Sequence, residues 1–135
     1  MNLLPVAVER RPSGWQLTSM DSSEYTVLLP FGSNWDDGLA THSQVWLGMR
    51  PESFALEPTA RSFAMELAVQ TTEILGARTT VHTMWGESPV ALSVETEWQA
   101  GFGQHLAAHV PLDALHFFDH SSGRRLSGAA QDLAA

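Results

Sequence analysis

The sequence predicts an all-β protein, an OB-like small β-barrel arranged as two lobes sharing a core. Two observations carry this. Apolar and polar residues alternate at period two in many short blocks. Clusters of Gly, Pro, Asp and Ser separate the blocks: Pro12-Ser13-Gly14, Asp21-Ser22-Ser23, Asp36-Asp37-Gly38, Gly86-Glu87-Ser88-Pro89 and Gly101-Phe102-Gly103. Many short strands at this spacing favour a barrel or sandwich over a parallel sheet.

In chain order, Val6 and Val8 begin the alternating series, followed by Tyr25, Val27 and Leu29, then Val45, Leu47 and Met49. The longest alternating strand carries Phe63, Met65, Leu67 and Val69 and ends at Glu73-Ile74-Leu75-Gly76. Val81, Thr83 and Trp85 follow, then Val90, Leu92 and Val94, then Leu106, Ala108 and Val110. Only two segments look helical. Asp113 to His116 suits one short turn, and Ser127 to Ala135 is rich in alanine but lacks an apolar face, as a frayed tail does. The expected organisation is a first β lobe over 1–50, a linker over 51–60 with two prolines, a second OB-like lobe over 61–126 and a tail over 127–135. Neither lobe is large enough for high stability alone, hence the shared core.

Composition narrows the chemistry. The 135 residues contain no cysteine, which excludes disulfides, thiolate metal sites and a cysteine nucleophile. All seven basic residues are arginines, so there is no Schiff-base lysine and no G-x-x-x-x-G-K-[ST] loop to hold an ATP phosphate. The chain by itself is not expected to hydrolyse ATP. A net charge of −8 with scattered arginines lacks the basic footprint of a nucleic-acid binder and disfavours anionic membrane surfaces. No apolar run approaches the length of a membrane-spanning helix, and the opening Met1-Asn2-Leu3-Leu4-Pro5 does not read as a signal peptide.

The candidate chemistry is sparse. His105 and His109, four apart on a strand, lie about 13 Å apart, too far to share an ion whose imidazole ligands sit roughly 2 Å away. His116, Asp119 and His120 are close in sequence, and surface hairpin residues are the plainer account of them. There is no G-x-S-x-G elbow, and Asp36-Asp37 are adjacent loop residues that do not face each other. Catalytic, cofactor and metal residues are therefore expected to be absent. The residues that stand out are architectural. Arg50-Pro51-Glu52 follows directly on a strand that ends Trp46-Leu47-Gly48-Met49, where a rigid bend lets Arg50 and Glu52 form a buried or half-buried bridge at the lobe junction or contact a ligand. Gly76 supplies a bend or bulge, and Glu73, which breaks the apolar-in pattern, caps a loop or pairs with an arginine. Trp85 sits at a hairpin tip, covering a barrel end or presented to a partner. Phe118-Asp119 runs into a turn in which Asp119 accepts backbone N–H bonds and Gly123 takes a positive φ. The Phe117-Phe118 pair seals a core or an interface between copies.

The ordered motifs L-G-M-R-P-E, E-I-L-G-A, V-H-x-x-W-G-E and L-H-F-F-D-x-x-S-G-R-R-L, after an opening M-N-L-L-P, resemble one family. They are similar to the C-terminal regulatory domain (TOBE or OB type, MOP-like) of the ATP-binding subunit of sugar or glycerol-3-phosphate ABC importers. The glycerol-3-phosphate branch looks nearest, on E-I-L-G-A and W-G-E. The resemblance spans Met1 to about Leu126 and implies OB-type barrels related to molybdate-binding domains. It implies a regulatory and dimerisation role, with ATP and Mg²⁺ handled by a nucleotide-binding domain that this sequence lacks. It also implies partners: a second copy of the subunit, the transporter's membrane subunits, and a regulatory protein or small effector, with no nucleic acid. The implied location is cytoplasmic, peripheral to the inner face of the membrane. A stand-alone small-anion module of the molybdate-binding type is the alternative. Gly48, Arg50, Pro51, Glu52, Glu73, Gly76, Phe118, Asp119 and Gly123 match the family pattern as architectural positions.

Overall fold

Alternation becomes strands wherever one face can be buried. A computed structural model of the chain describes residues 1–32, 34–95 and 101–126. The expected tail over 127–135 lies outside the described residues. The chain divides into two compact units. One comprises Leu3–Gly48 and the chain from Leu115; the other comprises Met1–Asn2 and Met49–Ala114.

The first unit is built on a five-stranded sheet in the order β3-β2-β1-β4-β9, from β1 (Asn2–Arg11), β2 (Gly14–Ser19), β3 (Thr26–Pro30), β4 (Gln44–Met49) and β9 (His116–Asp119). β1 and β2 form an antiparallel hairpin closed at Arg11 and Gly14, and β9 lies antiparallel against β4 with Phe117 opposite Leu47. Val6, Leu17, Leu29, Val45, Leu47 and Phe117 are buried at every second position, each contributing about 1.5–3 kcal/mol by leaving water. Two elements depart from the sequence expectation. β2 is a full strand with Trp15, Leu17 and Ser19 buried. Asp36-Asp37-Gly38 opens a five-residue helix, α1 (Asp36–Ala40), rather than a bare turn. Burial of Trp35 at its N-cap and of Leu39 within it supplies the apolar contact that short helices need. Both aspartates fall in its first turn, where the helix dipole favours negative charge.

The second unit is built on a four-stranded antiparallel sheet in the order β7-β6-β5-β8, from β5 (Ser62–Leu75), β6 (Arg78–Trp85), β7 (Ser88–Glu95) and β8 (His105–Pro111). Phe63, Met65, Leu67 and Val69 are buried, as are Val81, Trp85, Val90, Leu92 and Val110. Asn2 ties its end of the chain to β7: its Nδ2 donates to the Ala91 carbonyl and its Oδ1 accepts from the Ala91 N–H, both at 2.9 Å.

The unit bounds differ from the expected lobes. The chain leaves the second unit at Leu115, not near Leu126, because β9 completes the β4 edge of the first sheet. The stretch expected as a linker over 51–60 is also structured. It opens with a 3₁₀ turn (Pro51–Ser53), buries Phe54, and exchanges two backbone hydrogen bonds between Ala55 and His109, at 2.8 and 2.7 Å. The expected turn near Asp113 forms as a 3₁₀ turn over Leu112–Ala114.

Candidate functional site

The β5–β6 hairpin gathers several of the residues singled out in the sequence. Gly76 is the first of two central residues between the paired Leu75 and Arg78, with φ +70°; a II′ hairpin turn reserves that position for glycine. The bulge expected at Gly76 instead lies at Gln70, where the register slips between Val69 and Thr71. One extra residue reverses the alternation. Before it, odd-numbered residues are buried. After it, Thr71 and Glu73 pair with His82 and Thr80 on the solvent face, while Thr72 and Ile74 oppose Val81 and Thr79 on the inner face. This phase change explains why Glu73 breaks the pattern. Its partner is neither an arginine nor a loop: His82 Nε2 donates to Glu73 Oε1 at 2.6 Å, across an exposed pair. Trp85, at the opposite hairpin end, is 2% exposed and so acts as cover.

In the first unit, β9 ends in a tight turn organised by Asp119. The Ser122 N–H and hydroxyl donate to Asp119 Oδ2 at 3.0 and 2.5 Å, and the Gly123 N–H donates to the Asp119 carbonyl at 2.8 Å. Gly123 has φ +76°. The chain then returns: the Asp119 N–H donates to Arg124 O and the Leu126 N–H to Phe117 O. The Ser122 hydroxyl, then the Ser122 N–H, hold the Asp119 carboxyl below its ordinary value of 3.8, with smaller help from Ser121 and the nearby His42. His42 Nε2 lies 3.7 Å from Asp119 Oδ1. Phe117 is fully buried. Phe118 is half-buried, with the Arg125 guanidinium 5.9 Å from its ring centre. His116, Asp119 and His120 are engaged separately. Arg125 donates to His116 Nδ1 at 2.6 Å, and His120 stacks on Trp46 with centroids 4.9 Å apart. Among the described residues no cluster of three His, Cys, Asp or Glu could hold a metal ion.

A shallow cleft of about 400 Å³ in the first unit is lined by Arg10, Trp15, Thr41, His42 and Ser43 among others. Arg10 stands opposite Trp15 on the β1–β2 hairpin, its guanidinium 5.6 Å from the Trp15 ring and 4.9 Å from that of Phe31. The two rings themselves meet edge to face at 5.3 Å. Asp36 fixes the tryptophan by accepting its indole N–H at 2.9 Å, and also accepts the Gly32 N–H. Other arginines are engaged elsewhere: Arg11 pairs with Glu9, Arg78 donates to the Ser93 hydroxyl and carbonyl, and Arg125 donates to His116.

The Gly48-to-Glu52 joint differs from expectation. Gly48 is buried opposite His116, and the strand exit leads into the 3₁₀ turn, with the Ser53 N–H on the Arg50 carbonyl at 3.0 Å. Arg50 and Glu52 are both exposed, and among the described residues neither forms an ion pair. Proline at the first helical position tightens the backbone there and leaves both charged side chains in solvent. Sequence reasoning passed over Arg10, His42 and His82. A strand read at Trp15-Gln16-Leu17 would have placed Arg10 across from Trp15, and a phase flip read at Gln70 would have set His82 beside Glu73.

No family model matches the chain. Several curated proteins do. The sn-glycerol-3-phosphate import ATP-binding protein UgpC of Cupriavidus metallidurans is 33% identical over 138 residues, covering 96% of this chain and 35% of the relative. UgpC of Burkholderia pseudomallei is 36% identical over 88 residues (65% and 24%), and that of Escherichia coli O157:H7 is 36% identical over 80 residues (59% and 22%). The matches thus span about a quarter to a third of these relatives at most. Among solved structures, the cytoplasmic molybdate-binding protein ModG in its molybdate-bound form superposes with a TM-score of 0.62, covering 86% of this chain and 94% of that one. At 10% identity, that likeness establishes the fold: an OB-like, MOP-like small barrel architecture.

Proposed function

We propose, for a chain homologous to the ATP-binding subunits of sn-glycerol-3-phosphate importers, that it is the regulatory and dimerisation domain of such a subunit. The observation that carries this reading is the 33% identity extending over 96% of the chain. The absence of lysine, and with it of a phosphate-binding loop, supports a division of labour. ATP and Mg²⁺ would be handled by a nucleotide-binding domain outside this sequence, and this domain would steady and regulate it. Its partners on this reading are a second copy, the membrane subunits reached through the nucleotide-binding domain, and a regulatory protein or small effector. Its place is the cytoplasmic face of the membrane. No described helix is long and apolar enough to cross one. The transported solute is glycerol-3-phosphate or a sugar.

A chimera tests this. The chain replaces the region of the Cupriavidus relative to which it aligns, and cells lacking their own subunit are assayed for sn-glycerol-3-phosphate uptake. Restored uptake is expected; a chimera that is produced, binds ATP and gives no uptake would sink the reading.

A second reading, a stand-alone small-anion module, is favoured by the fold shared with a molybdate-binding protein. On this chain its best seat is the cleft walled by Arg10, Thr41, His42 and Ser43. Calorimetry with molybdate, sulfate and glycerol-3-phosphate separates the two. Micromolar binding that Arg10→Ala abolishes would put the anion module first.

A further inference from the structure

β5 is longer than its neighbour. β8 pairs with it only from Ser62 to Ala68, and two last backbone bonds join Val69 to Gly103 and Gln104 at 2.8 and 2.9 Å. Beyond Gln70 the strand continues to Leu75 with β6 alone beside it among the described residues. The two-residue turn makes Leu75 and Arg78 a hydrogen-bonded pair. By antiparallel alternation Glu73 and Thr71 also bond to β6, so Thr72 and Ile74 direct their N–H and C=O groups outward. Thr71 to Leu75 are exposed on both faces, Ile74 at 67% and Leu75 at 62%. Phe102, one residue before the Gly103 that bonds Val69, is 80% exposed.

Proteins blunt such edges with lysine, proline, charge or bulges that turn the edge away. This segment carries neither lysine nor proline, and the bulge in β5 lies at its start, at Gln70, leaving the stretch beyond it regular against β6. Its one charge, Glu73, is matched by His82, and Arg78 stands opposite Glu95. On a chain of net charge −8, the ribbon is thus a charge-balanced strip on which two copies can meet without like charges facing. An outward row of backbone donors and acceptors needs an extended partner, and an identical edge exists on every copy.

We propose that the outer edge of β5, from Gln70 to Ile74, pairs antiparallel with the same edge of a second copy about a two-fold axis at Thr72. In this register Thr72 opposes the second copy's Thr72, a favourable cross-strand pair, and Glu73 opposes the second copy's Thr71. Centring on Glu73 instead would set two carboxylates against each other. This deepens the dimerisation reading above and rests on it for the existence of a dimer, while locating the contact on its own evidence.

Sedimentation equilibrium of the 135-residue chain tests it, with three variants checked for fold by circular dichroism. Thr72→Pro removes an outward N–H without touching a β5–β6 bond, and Ile74→Lys adds the edge charge the native strand lacks. Each is expected to weaken self-association about tenfold or more. Should the proline variant not fold, Ile74→Lys decides. In a chain without cysteine, Thr72→Cys is expected to give a covalent dimer under mild oxidation, because directly opposed residues lie within disulfide reach. A wild-type dimer that Ile74→Lys leaves unchanged, or that Thr72→Cys fails to cross-link, overturns the edge assignment alone. A wild-type chain monomeric at every accessible concentration overturns the dimerisation reading too. Binding of a different protein's strand at this edge, with no self-association, overturns the choice of a second copy.

Discussion

At the scale of single residues, Asp119 and Gly14 show two ways in which side-chain identity is fixed. Asp119 is the acceptor of its own turn, and Ser122 is the main reason its carboxyl sits below the ordinary value. Ser122→Ala should therefore move the Asp119 titration up toward 3.8, as followed by carboxyl chemical shifts. The sign for stability follows from the direction of that shift. A depressed native value means the turn contributes fully above the unfolded-state value and loses its contribution as pH falls through the native one. Urea unfolding at about pH 6 and about pH 3 should show a larger loss in the wild type than in Asp119→Asn. Gly14 is fixed by closeness instead. A Cβ there would stand 2.0 Å from the Leu29 carbonyl oxygen in the neighbouring strand. Backbone cannot yield as a flexible side chain does, so Gly14→Ala should cost about 1–3 kcal/mol in chemical denaturation.

At the scale of elements, hairpins carried the most legible signal. The alternating blocks became β1 and β3 through β8 because one face of each is buried, and a two-residue period with turn residues between blocks reports that geometry directly. β2 went unread although Trp15, Leu17 and Ser19 alternate, because its buried positions include a serine and its turn, Pro12-Ser13, is short. α1 was hidden for a different reason: Asp-Asp-Gly is turn chemistry by composition, and only burial of Trp35 and Leu39 makes it a helix. Of the candidate site, the positions were legible and the partners were not. Glu73 and Asp119 stood out in the sequence, whereas His82 and His42 are brought to them by register and chain return. The turn at Gly76 belongs to this scale. Space around it is open, so Gly76→Ala meets no clash and pays only for the left-handed backbone, about 1–2 kcal/mol. Hydrogen exchange should show that loss confined to β5–β6 amides beyond Gln70, with β8 protection unchanged.

At the scale of the whole molecule, net charge sets the terms of association. A chain at −8 repels its own copies, and screening weakens that repulsion. Self-association measured by sedimentation should strengthen as salt rises from about 0.05 M to about 0.5 M. An anion held by Arg10 would show the opposite trend, its affinity falling with added salt. The direction of the salt dependence therefore distinguishes the two proposed readings.

The extra residue at Gln70 works as a one-step clutch between two halves of a strand. β6 alternates without a break, so deleting Gln70 with every turn kept would leave Glu73 opposite Thr80 and Ile74 opposite Thr79. Both halves would stay in phase with β6 and merge into one regular ladder, losing only the local bend and the added twist that a bulge brings. The glutamine thus changes the direction in which the distal ribbon leaves the sheet, and not which residues the ribbon displays.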